Sequence, residues 1–159
     1  MGEMMREGLI DLAAARVGGR AVMANDEFFA PKENLLQPGR GVFIEGKYTE
    51  RGKWMDGWET RRRRVPGHDW CIIRLGIPGV IRAITVDTNH FKGNHPAACS
   101  LDGAELSGAP SAKRLRTLGE GWTELLSQSS LAGHAENEFS IRNQASRSEE
   151  RRVGKECRL

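Results

Sequence analysis

At 159 residues, with 19 glycines, the chain has the length for one domain with a sizeable core and a composition that favours turns over long helices. Its formal charge is +3, of which residues 147–159 (five basic, three acidic) contribute +2, so the remainder stands near +1 and offers poor electrostatic grounds for a nucleic-acid partner. No apolar run approaches the roughly 20 residues that cross a bilayer, and the acidic N-terminus lacks a signal-peptide core, so a cytoplasmic protein with no membrane partner is expected.

Leu9–Val17 places Leu9, Leu12, Ala13 and Arg16 at helical spacing before Gly18-Gly19, which predicts a short N-terminal helix. Ala21–Met23 follows as a first strand, with Asn25-Asp26 as a turn. Phe28 and Phe29 precede Pro31, and Asn34–Leu36 precedes Pro38-Gly39, so both read as loops pinned by apolar anchors. Trp70–Leu75 is a clear strand, with Cys71, Ile73 and Leu75 on one face and Trp70, Ile72 and Arg74 on the other. After the Gly76–Gly79 turn, Val80–Thr88 is a β-branched strand whose spacing suits an antiparallel neighbour of the first. Ala97–Leu101 adds a further strand, and Trp122, Leu125 and Leu126 supply core near the close of the domain. Short strands between Gly/Pro turns favour an all-β fold, a β-sandwich. Cys71, Cys99 and Cys157 have neither metal-ligand spacing nor an obvious pairing, which fits reduced thiols.

Lys53–Leu75 holds two tryptophans, four consecutive arginines and a His-Asp-Trp triplet directly ahead of an alternating strand. Core strands rarely carry so many charges, and disordered basic runs rarely carry tryptophans. The stretch therefore reads as a site-bearing loop delivered onto the rim of a sheet. Arg61–Arg64 can be a solvated basic face or a nucleic-acid contact. In extended backbone they also split into two pairs, Arg61 with Arg63 and Arg62 with Arg64, one of which could fork onto a carboxylate. Asp87–His90 closes a strand and feeds a polar loop, a good position for acids and bases. His90 and His95 are compatible with metal ligation but not diagnostic of it, and no metal or other cofactor is assigned.

The blocks Asn25–Leu35, Gly52–Arg63, His68–Gly76 and Val86–Asn94, in that order, closely resemble the allantoicase family. The resemblance covers Leu9–Pro96 and fades beyond Cys99. It implies a jelly-roll β-sandwich of the galactose-binding-like kind, the first of two related domains, from a homo-oligomeric enzyme that hydrolyses allantoate to ureidoglycolate and urea. That substrate carries a carboxylate and two ureido groups on one carbon. Its site needs a bidentate cation, polar groups for ureido N–H and C=O, and an acid or base. Asp56, Glu59, Asp87 and His90 are the catalytic candidates, and Arg61, Arg63, Trp58 and Asn94 the substrate-binding ones. A non-catalytic small-ligand-binding sandwich is the rival reading, since the same architecture hosts both.

Arg147–Cys157 back-translates to an oligonucleotide resembling a sequencing adaptor. Residues 1–146 are accordingly expected to form the domain, truncated relative to a two-domain parent, and 147–159 a disordered tail foreign to it. A natural charged tail is the alternative.

Overall fold

The structure, a computed structural model, describes residues 8–141 and 153–158. It is predominantly β. In chain order the strands are β1 (Arg20–Ala24), β2 (Tyr48–Thr49), β3 (Gly52–Lys53), β4 (Trp70–Arg74), β5 (Ala83–Asp87), β6 (Ala98–Glu105), β7 (Thr123–Ser130), β8 (Glu136–Ser140) and β9 (Val153–Arg158). A short helix, α1 (Ala112–Arg116), is capped by the Ser111 hydroxyl accepting from the Arg114 N–H. Among the described residues, no helix is long and apolar enough to cross a membrane.

Five strands form one sheet in the order β1-β4-β9-β6-β7, while β2-β3 and β5-β8 form separate two-stranded sheets. The β5-β8 pair lies over the larger sheet. Ile84 and Val86 of β5 and Phe139 of β8 pack with Cys99 of β6, Leu126 of β7 and Leu131, and Ile84 also joins a second cluster of Leu75, Ile81, Leu101 and Ile141. Ile84 and Leu126 belong to both clusters and so link them into one core.

β1 and β4 form where alternation and β-branching predict, antiparallel, with Arg20 opposite Arg74 and Ala24 opposite Cys71. Cys71 and Ile72, expected on opposite faces, are both buried, so β4 is covered on both sides. Burial pushes the Cys71 thiol up to about 12, which leaves it inert as a nucleophile.

Two expectations are corrected. The helix over Leu9–Val17 is only a 3₁₀ turn at Ala15–Val17. Asp11 diverts the backbone by accepting the Ala13 N–H on its carboxylate, and Ala14 is extended at ψ 137°, so no α-helical turn builds. The strand over Val80–Thr88 is shorter, Ala83–Asp87, and pairs with β8 rather than with β4. The link through Ile77–Arg82 carries β5 into the other layer, and the open edge of β4 is taken by β9. Of the tail, residues 147–152 and 159 lie outside the described ones, and Val153–Arg158 is a strand, antiparallel to both β4 and β6. A gap between two strands presents unpaired N–H and C=O groups on both sides, and an extended segment satisfies them through its backbone alone.

The N-terminal segment is locked onto the end of β4 by a close backbone approach. The Gly76 N–H donates to the Leu12 carbonyl at 2.9 Å, and a Cβ on Gly76 would run into the Val17 carbonyl and to 2.6 Å from the Gly19 nitrogen. Replacing Gly76 by alanine is expected to cost about 1–3 kcal/mol, as overpacking does. The midpoint of urea unfolding reads this, and an unchanged midpoint would show that the segment can shift freely.

Candidate active site

β1 runs directly into the site. The Asn25 N–H donates to the Trp70 carbonyl (3.2 Å), and the Asn25 side chain accepts from the Trp70 N–H (2.7 Å) while donating to Asp69 (2.7 Å). Asp26 then ties the arginine-rich stretch down. Its Oδ1 accepts the N–H groups of Phe28 (2.9 Å) and Arg61 (3.3 Å), its Oδ2 accepts Arg61 Nε (2.7 Å), and its carbonyl accepts the indole N–H of Trp58 (2.7 Å). Burial raises the Asp26 carboxyl, but these backbone donors and the Arg61 guanidinium outweigh it and hold the group below its ordinary value.

The substrate-binding candidates are therefore divided. Trp58 is buried, its indole spent on anchoring the loop. Arg61 is bound to Asp26 and Arg63 to Asp69 at 3.4 Å. Both are exposed, yet each already meets a carboxylate of its own chain.

The remaining candidates meet along loops 40–44, 56–59 and 87–94. Asn94 donates to Glu59 Oε1 at 3.4 Å, and Phe91 closes over Gly57, where an added Cβ would come to 3.1 Å of its ring. Asp56 accepts the Val42 N–H at 2.8 Å. Asp87 is gripped by Arg40 through Nε (3.1 Å) and Nη2 (2.9 Å), and Asn89 donates to the Gly41 carbonyl at 2.7 Å. The His90 ring stands 5.7 Å from Phe43. Residues 40–43 thus touch Asp87, Asn89, Asp56 and His90 in turn.

Chemical readiness differs among them. Asp56 and Asp87 each hold a bond within the chain, as a turn or a salt bridge would require. Glu59 is half-buried, and burial raises its carboxyl above the ordinary glutamate value, while the Asn94 amide pulls it partly back. A carboxyl kept toward its neutral form beside a polar amide is suited to giving up a proton and taking one back. His90 sits in left-handed backbone (φ 67°), with its N–H donated to His134 Nδ1 at 3.0 Å. His134 is fixed in turn by its own N–H, which donates to the Thr88 and Phe91 carbonyls. Among the described residues no group of three His, Cys, Asp or Glu is placed to hold a metal. His95 stands apart from His90, its Nδ1 lying 2.6 Å from the Lys92 carbonyl.

Sequence reasoning missed Arg40, Arg51 and His134. Arg40 and Arg51 are single cations in turns, and His134 lies 44 residues from His90, so neither spacing nor periodicity marks them. A cleft of about 270 Å³ beside Phe43, lined also by Ile44, Lys47, Tyr48 and Lys53, was equally unforeseen.

Because the folded-state value of Glu59 is raised, its ionised form destabilises the protein at neutral pH. That cost lessens as pH falls through the raised value and vanishes below the ordinary glutamate value. Glu59→Gln is thus expected to raise Tm at pH 7, with a gain that shrinks on acidification. A gain independent of pH, or a loss, would contradict the burial argument.

Residues 10–152 match the family described as Allantoicase repeat. The chain is 44% identical over 135 residues to a protein named "Probable allantoicase 1" from Burkholderia mallei, covering 84% of this chain and 38% of that protein. It is 47% identical over 141 residues to a "Probable allantoicase" from Streptomyces coelicolor, covering 82% of this chain and 38% of the relative. The crystal structure of allantoicase from Saccharomyces cerevisiae superposes with a TM-score of 0.69 at 33% identity, over 94% of this chain and 39% of that one. The chain thus spans about two fifths of the length of these relatives, and the match reaches well past the blocks that carried the resemblance. On these grounds the chain belongs to the allantoicase repeat family.

Proposed function

We propose that this chain forms a jelly-roll domain of the galactose-binding-like kind, and that its site takes part in hydrolysing allantoate to ureidoglycolate and urea. Membership of the family supports the reaction, and two packed layers of mainly antiparallel strands support the architecture. The observation that carries the site is the pairing of a half-buried Glu59, its carboxyl raised above the ordinary value by burial, with Asn94, on a rim assembled from the same blocks that resemble the family.

In the reaction, the bond between the central carbon and one ureido nitrogen breaks, that nitrogen gains a proton and leaves as urea, and water oxygen bonds to the carbon. Glu59 supplies the proton to the departing nitrogen, and its carboxylate then accepts one from the incoming water. Asn94 offers its amide to the ureido carbonyl, and His90, held by His134, shares the proton traffic at the rim. Asp56 and Asp87 shape the rim by holding Val42 and Arg40 rather than acting on substrate.

Urea release from allantoate tests this, measured with the 159-residue chain and with the chain grafted in place of the matching segment of the Streptomyces coelicolor relative. Glu59→Gln is expected to lower kcat on the order of 10²–10⁴-fold, the usual range for losing a general acid–base group. Asp56→Asn is expected to act mainly on stability. Undiminished turnover in Glu59→Gln would remove Glu59 from the chemistry. Saturable binding of allantoate with no urea from either protein would favour the non-catalytic module.

A further inference from the structure

Allantoate presents a carboxylate, yet the arginines nominated to clamp it are already paired, Arg61 with Asp26 and Arg63 with Asp69. Arg51, in the turn between β2 and β3, differs from both. Its Nη1 donates to the Phe28 carbonyl at 2.9 Å, and its guanidinium stands 5.0 Å from the centre of the Phe28 ring. Among the described residues no carboxylate lies within ion-pair distance of it. The Arg61 guanidinium lies 5.3 Å from the same ring, so two cations converge on one exposed aromatic.

We infer that Arg51, oriented by Phe28 and assisted by Arg61, is the carboxylate-binding group of the site; the inference rests on the reading of allantoate as ligand. The bond from Nη1 to a backbone carbonyl does not use the Nε–Nη2 edge. Arg40 uses that same edge in this chain to hold Asp87, with bonds of 3.1 and 2.9 Å. A guanidinium held at one end by a carbonyl and along its face by a ring has lost much of its rotamer freedom before any ligand arrives, so a bidentate contact costs less entropy. Asp26 neutralises much of Arg61 and leaves Arg51 as the stronger attractor. The position also fits the chemistry. The segment Phe28–Ala30 accepts Arg51 on its Phe28 carbonyl, and its Phe29 and Ala30 N–H groups donate to the Glu59 carbonyl at 3.1 Å each. One short segment therefore contacts both the Arg51 guanidinium and the backbone of the proton-handling residue.

The test combines titration of the Arg side-chain Nε–H resonances with kinetics, using allantoate and its neutral amide, which lacks the carboxylate charge. Allantoate should shift the Arg51 resonance and the amide should not. Arg51→Ala should weaken allantoate binding, and raise KM, on the order of 10–100-fold while kcat changes little and affinity for the amide is unaltered. Arg51→Lys should restore little, because an ammonium has no fork. Equal affinity for allantoate in Arg51→Ala and the unmodified chain, equal losses for both ligands, or no allantoate binding at all would overturn the inference. Arg51-dependent binding without urea release would instead sink the hydrolase reading and leave the carboxylate site standing. Urea release indifferent to Arg51 would do the reverse.

Discussion

The site loop depends on one carboxylate. Asp26 accepts bonds from two backbone N–H groups and the Arg61 guanidinium, while its carbonyl takes the Trp58 indole. No other residue connects the end of β1 to the arginine-rich stretch so directly. Four arginines in succession repel one another, and without a counter-charge they would keep residues 60–64 away from the sheet. Asp26 neutralises the first, Asp69 the third, and the buried Trp58 supplies the apolar anchor that a charged loop lacks. Since its folded-state value is lowered, the stabilisation from Asp26 is fully present above the ordinary aspartate value and fades as pH falls through the lowered one.

Around that anchor, the polar groups of the rim differ in how far they are committed to one another. Asp56, Asp87, Asn89 and Arg40 spend their hydrogen-bonding capacity on one another or on backbone. Glu59 accepts a longer bond from the Asn94 amide, and it is the carboxyl that burial pushes toward its neutral form.

Much of this was legible in the residues. β1 and β4 declare themselves by β-branched and alternating composition between turns, and Asn25-Asp26 reads as a turn because short polar side chains bond their own backbone. Less legible were features decided by distant partners. The alternation of β5 says which face is apolar, but not that its ladder is with β8, more than 50 residues on. The helical spacing of Leu9–Arg16 is real, but Asp11 competes for the backbone locally and wins. The occupied state of Arg61 and Arg63 depends on Asp26 and Asp69 being folded against them, which spacing cannot express. Arg51 carried no signal beyond a lone cation before Gly52 in a hairpin turn, and only Phe28, 23 residues earlier, gives it meaning.

The placement of β9 bears on how the molecule assembles. Among the described residues, β1-β4 and β6-β7 are antiparallel pairs that share no ladder with each other, and Val153–Arg158 joins them. As the chain leaves the ribosome, both pairs are complete while the strand between them has yet to emerge. Until it does, β4 and β6 each expose a full row of backbone donors and acceptors, the arrangement most open to pairing with another chain. The sheet closes by its most sequence-distant contacts, and such contacts carry the largest loop-closure cost and form slowly. Assembly of the larger sheet is thus gated by β9, and the interval before that strand docks is one in which the β4 and β6 edges are exposed to self-association.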